Sequence, residues 1–370
     1  MNRAVVLATA LVVTAVSMPA SAQKIGAMAG VEVWQGDPGG HAIILVHGVT
    51  EVGRKRLTVE LNTDTLTVRA DTLVDQWTVG VQARGEYIFA GILPDYYVGG
   101  VNDASRGFNA SYVDLQANAK RGFGRYHWLD ISAGWQQWLL AGNDNTAPNF
   151  VLPPDSAVLK HRLSWTYWRL APDASWSDVF RVGRRRVLGF AVGLDLGGDY
   201  RTQVAPWGID GDNGRNNPDR VILTARQWAM AGFEWQPGWR LQLREWAGTG
   251  VGEDDLTRTR IGGMNPYVVP VAGLPWASFL SSTYVAGEVS QAMRIFGETE
   301  LGFAGQAAVV DDPDRAGNTS AFGTLIGVQL FVDLRVSDWQ VNASVGASPD
   351  TGSLAKDLIL SGYLDVGTSF

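Results

Sequence analysis

The chain has 370 residues, a formal net charge of -7, no cysteine, 44 glycines and 15 tryptophans. Without cysteine there is no disulfide framework and no thiolate metal site, and the mixing of acidic and basic residues along the chain argues against a nucleic-acid partner. Hydrophobic residues make up 46% of the chain, yet past the N-terminus no apolar run approaches the roughly 18 residues of a spanning helix, so the membrane architecture left open is a closed β-barrel.

The first segment, MNRAVVLATALVVTAVSMPASAQ, has a basic Arg3, an apolar stretch from Val5 to Val16 and a small-residue site at Ala20-Ser21-Ala22. That is the layout of a cleaved secretory signal over 1–22. A membrane anchor is the alternative, against which the run is short and broken by Pro19. A single barrel domain is expected over 23–370, with no room for a separate periplasmic domain.

Apolar and polar residues then alternate with period two to the end of the chain. The segments reading as strands are 26–35, 41–51, 55–70, 75–92, 106–120, 126–141, 156–170, 185–204, 218–235, 239–250, 282–292, 296–310, 321–335, 338–348 and 356–370. They are odd in number, whereas single-chain bacterial barrels have even counts. The ambiguity lies in 24–72, where RKRLTVELNTDTLTVRADT reads as one strand or two. The prediction is an all-β, antiparallel transmembrane barrel of about 16 strands, with 14 as the alternative. A soluble sandwich alternates likewise, but its strands average only about 5–6 residues.

Each strand separates two faces. In WTVGVQARGEYIF, Trp77, Val79, Val81, Ala83, Gly85, Tyr87 and Phe89 suit lipid, while Gln82, Arg84 and Glu86 suit a wet lumen. In AFGTLIGVQLFVDLR, Ile326 and Val328 face lipid and Gln329 and Asp333 the lumen, and Glu300 joins the polar wall. Short connectors, WQPGW and RVSDW, alternate with long ones at 200–217, 251–281 and 311–319, which assigns the short turns to the periplasm and the long loops to the exterior.

Three motifs invite chemistry. DGDNGRNNPD offers Asp210, Asp212 and Asp219 as hard oxygen ligands for calcium, although an exposed Asn/Asp/Gly turn has the same composition. No other cofactor is indicated. RVGRRR, Arg181 to Arg186, falls on the periplasmic side and suits anionic headgroups or a solvated charge cluster. Among the histidines, His127 shares a face with Leu129 and Ile131 and not with Asp130 or Ser132, His47 has no evident partner, and no G-x-S-x-G occurs; no enzyme is expected.

The final segment, LILSGYLDVGTSF, places Leu358, Leu360, Gly362, Leu364, Val366, Thr368 and Phe370 on one face. It resembles the C-terminal strand of bacterial outer-membrane proteins, which implies that Phe370 is a lipid-side anchor read by the barrel assembly machinery.

The segment TRTRIGGMNPYVVPVAGLPWASFLSSTYVAGEVS, 257–290, resembles the sixth extracellular loop of the BamA/TamA-type (surface antigen-like) assembly and secretion barrels. In that family a Gly-Gly segment, here Gly262-Gly263, precedes a loop that folds into the lumen. The Arg-Gly-aromatic triplet of the family's loop is missing after Gly263; Arg106-Gly107-Phe108 is such a triplet, several strands earlier. The part from Asn265 to Leu280 carries no charge and contains Tyr267, Trp276 and Phe279, so outside the barrel it would expose a large apolar patch. It is expected either in the lumen, where Gln82, Arg84 and Glu300 would serve its backbone groups, or against a partner or lipopolysaccharide. The resemblance implies an outer-membrane assembly or translocation barrel without its own POTRA client-binding modules, served by a periplasmic partner. A passive pore or a structural surface protein is the alternative.

Overall fold

The computed structural model describes residues 23–35, 37–62, 65–86, 97–98, 101–170, 188–209, 216–264, 268–311, 322–337, 339–349 and 358–368. The signal segment, Tyr87, Phe89, Arg181–Arg186, Asp210, Asp212, Tyr267 and Phe370 lie outside the described residues.

Strands β1 (Gln23–Trp34), β2 (Asp37–Val52), β3 (Lys55–Asn62), β4 (Thr65–Val74) and β5 (Trp77–Glu86) form a tight meander. Then come β6 (Phe108–Phe123), β7 (His127–Gly142), β8 (Ala157–Leu170), β9 (Gly189–Arg201), β10 (Val221–Gln236) and β11 (Trp239–Val251). The chain ends with β12 (Tyr284–Phe296), β13 (Thr299–Asp311), β14 (Phe322–Val336), β15 (Trp339–Ser348) and β16 (Ile359–Thr368). Every strand pairs antiparallel with the next, and β16 returns to β1, closing a 16-stranded barrel. The seam runs from Met28 opposite Gly367 to Trp34 opposite Ser361. The one helix among the described residues is a 3-10 turn at Ala104–Arg106.

The ambiguous N-terminal stretch is two strands. β3 and β4 pair from Lys55–Thr72 to Asn62–Thr65, with the turn-prone Asn-Thr-Asp-Thr between them.

Burial follows parity. Along β14, Phe322, Thr324, Ile326, Val328, Leu330 and Val332 are exposed, and Leu325, Gly327, Gln329, Phe331 and Asp333 are buried. The same holds on β16, where Leu364 and Val366 point out and Ser361, Tyr363 and Asp365 point in. Apolar side chains on the outside and polar ones within are what a lipid-embedded barrel requires.

Both ends of the described chain and the tight turns at 53–54, 75–76, 124–126, 237–238, 297–298 and 337–338 share one end of the barrel. The long connections from β7 to β8, from β9 to β10 and from β11 to β12 start from the other.

The face assignment yields a paired test. Val81 is 61% exposed on the outer wall, and its neighbour Gln82 lines the inner one. Val81→Arg is expected to cost roughly 2–4 kcal/mol in a bilayer, measured by equilibrium unfolding in vesicles, and Gln82→Arg much less. The opposite order would mean that the faces are inverted.

Candidate functional site

The connection between β11 and β12, residues 252–283, turns into the barrel. Its first turn is closed by Thr257 N and Arg258 N donating to Asp254 O, both at 2.9 Å. The Asp254 side chain is fully buried. It accepts from Arg201 Nη1 and Nη2 at 2.7 and 2.8 Å and from Trp207 Nε1 at 2.9 Å. Asp255 accepts from Arg258 Nη1 at 2.7 Å, and its N–H donates to Asn216 Oδ1 at 3.1 Å. Two adjacent aspartates thus join the end of β9, the β9–β10 loop and the inward loop. Around them Phe108, Tyr112, Trp138, Phe150, Val158 and Trp207 form a small apolar core with Leu256 at its edge.

Beyond this hub the loop makes its own ladder, Thr259–Ile261 against Phe279–Ser281. Gly262 and Gly263 follow at φ +110° and +89°, a region that L side chains rarely adopt. The chain beyond them comes back alongside, where Gly262 N donates to Val269 O at 3.0 Å and Gly263 exchanges two 3.2 Å bonds with Val271.

The loop then docks on the wall made by β12–β16 and β1. Met264 N donates to Glu32 Oε1 at 2.6 Å, Ala272 N to Gln306 Oε1 at 2.6 Å, and Gly273 N to Ser361 Oγ at 2.9 Å. Gln306 passes the contact on, donating to Glu288 Oε2 at 2.9 Å, with Arg244 3.5 Å from the other Glu288 oxygen. Close approach depends on glycine: a Cβ on Gly327 would stand 2.6 Å from Ala272 O. Ile261, Val269, Val271, Leu274 and Phe279 pack with Trp228, Trp246, Tyr284, Ala308 and Leu325. Backbone groups that a buried loop would otherwise leave unpaired thereby gain side-chain partners.

The residues singled out from the sequence fall into separate places. Phe279 is in the loop core, and Trp276 lies under the Arg260 guanidinium, 5.5 Å from its ring centre. Gln82 and Arg84 are on the opposite wall, so they do not serve the loop backbone; Arg84 sits over the Tyr112 ring at 5.4 Å. Glu86 is buried beside them. Glu300 is engaged by Arg240 at 2.5 Å, and Asp333 accepts two 3.1 Å bonds from Gln340. The backbone acceptors are instead Glu32, Gln306 and Ser361, which sequence reasoning did not select. Glu32 had a signal, a lone acid in the apolar stretch GAMAGVEVW. His47 has a partner after all, Glu60 Oε2 at 3.4 Å. Asp219 lies by the base of the loop, its N–H 3.2 Å from Gly252 O, and among the described residues no group of three or more His, Asp or Glu is placed to hold a metal.

The basic side chains of the two walls differ in exposure. Arg69, Glu60 and Arg162, on the side away from the loop, keep 28–38% of their side chains exposed. Arg240, Arg244 and Glu288, beneath the loop side, keep 3% or less.

Glu253, next to the hub, is pushed toward its neutral form. Burial raises its pKa from 4.5 to about 7, opposed by Arg226, whose Nη2 is 3.5 Å away. A folded-state pKa above the unfolded one adds stability that is complete below about 4.5 and lost as pH rises through 7. Protease cleavage within the loop is therefore expected to increase between pH 5 and pH 8, and Glu253→Gln to flatten that profile. An unchanged profile in the variant would assign the effect to another group.

Gly273 offers a second test. It sits at φ +90°, and a Cβ there would overlap Ser348 N. Gly273→Val is expected to undock the loop while the barrel stays folded, read as new protease sensitivity with unchanged heat-modifiable migration.

No protein-family model and no curated protein matches the sequence. Solved structures do. BamA from Haemophilus ducreyi lacking POTRA domains 1–3 superposes with a TM-score of 0.62 at 9% identity, over 93% of this chain and 70% of that one. CdiB from Escherichia coli gives 0.59 at 10% identity, over 95% and 64%. CdiB from Acinetobacter baumannii gives 0.54 at 12% identity, over 94% and 60%. The chain spans between 60% and 70% of the length of these structures. It is a closed 16-stranded barrel that shares the fold of BamA and CdiB.

Proposed function

We propose that the protein is an integral outer-membrane barrel of the BamA/TamA-like assembly or translocation type. One observation carries this reading. The 252–283 loop occupies the lumen and is hydrogen-bonded to the wall through Glu32, Gln306 and Ser361. A passive pore gains nothing from a lumen filled by its own apolar loop. A barrel whose substrates enter or leave under control needs a removable occupant. The apolar outer face, the long loops at one end and the shared fold support the membrane placement.

The pore reading draws on a different observation, the partly exposed arginines Arg69 and Arg162 on the side away from the loop. Planar-bilayer recording separates the two. The intact protein is expected to conduct poorly, and deletion of residues 268–276 to raise single-channel conductance several-fold with the barrel still folded. Steady solute-sized conductance in the intact protein, unchanged by the deletion, would replace the proposal with the pore.

A further inference from the structure

The outer wall is not uniformly convex. Across β2–β5, at the tight-turn end, it holds a concavity of about 720 Å³. Parity puts Thr50, Leu57, Ala70, Thr72, Val79 and Val81 on that face. Three small side chains, Thr50, Ala70 and Thr72, leave the space, and Leu57, Val79 and Val81 bound it. A flat apolar wall is covered by any lipid, whereas a groove of this size selects one chain and holds it.

The mouth of the groove is basic. Lys55 lines it, on the same face as Thr72, and Arg54 precedes it in the β2–β3 turn, which is fastened to β4 by Leu73 N donating to Arg54 O at 3.0 Å. Both side chains are exposed, and among the described residues neither has an ion-pair partner. Register explains why. The nearby acids point inward and are used there: Glu51 pairs with Arg56 at 2.5 Å, and Asp71 with Arg69 at 2.9 Å. Asp75, on the next turn of the same end, is exposed, and Arg121 and Arg125 follow it along the rim.

We infer that this groove is a binding site for one anionic phospholipid, with an acyl chain along Ala70 and Thr72 and the phosphate at Arg54 and Lys55. The tight-turn end faces the periplasm in barrels of this architecture, so the lipid belongs to that leaflet. Unpaired cations at a membrane surface attract anionic headgroups, and the apolar groove supplies selectivity for a lipid over a free phosphate. The inference rests on the membrane-embedded barrel reading, which heat-modifiable migration and membrane flotation report independently of any bound lipid.

The test is native mass spectrometry of the full barrel after exchange into phosphatidylglycerol, phosphatidylcholine or lipid A. Retention of one phosphatidylglycerol above the other two is expected. Arg54→Glu/Lys55→Glu should lower that retention about tenfold, and Ala70→Trp should abolish it. Thr72→Leu, which narrows the groove less, serves if Ala70→Trp does not fold. Equal retention of phosphatidylcholine, preference for lipid A, or no response to charge reversal would each overturn the site.

Discussion

Every backbone N–H and C=O that meets hydrocarbon must find its partner inside the protein. In this chain the β1–β16 ladder meets that demand at the one place where a sheet would otherwise end. The period-two pattern depends on it. Closed strands divide their side chains between lipid and lumen, so each strand spends half its residues on a polar interior. That interior is what allows a loop as apolar as 268–280 to be buried. Without Glu32, Gln306 and Ser361 on the wall, the amides of Met264, Ala272 and Gly273 would lie unpaired in a dry space, at about 1–3 kcal/mol each.

The loop is held in two chemically different ways. At the long-loop end, Asp254 and Asp255 make charged, buried contacts to Arg201, Trp207 and Arg258. Such pairs add little net stability, but removing one partner is costly because the other charge stays buried. Deeper in the barrel the attachment is neutral: amide-to-side-chain bonds, small residues in close contact and an apolar core. The charged hub fixes where the loop enters, and the neutral part fixes which wall it leans on. The opposite wall keeps its charges in cross-strand pairs such as Lys160–Asp114 and Arg162–Asp199, in which the carboxylates are largely buried and Arg162 stays partly exposed.

Much of the architecture was legible in the sequence because period two is a strong signal over strands of this length. Ile326 and Val328 against Gln329 and Asp333 could be assigned by parity alone. The β3–β4 turn was harder, since Asn62 to Thr65 breaks no hydrophobic pattern. Parity says which face a residue is on but not where along the barrel wall it stands. Gln82, Arg84 and Glu300 therefore qualified as loop partners on sequence grounds, although the first two are across the lumen and the third is tied to Arg240. The stagger between strands, visible only in the assembled ladder, decides that. Asp254-Asp255 carried no signal in the sequence for a related reason: their partners Arg201, Trp207 and Asn216 lie 39 to 53 residues away in sequence.

Two of the loop's anchors stand on either side of the barrel's closure. Glu32 belongs to β1 and Ser361 to β16, and their strands meet at the seam with Trp34 opposite Ser361. The loop is thus a cross-seam staple, fastened at Met264 on one side and Gly273 on the other. Thermodynamic linkage makes the relation reciprocal. Any ligand or membrane stress that parts the two strands weakens the staple, and anything that withdraws the staple weakens the seam by the same free energy.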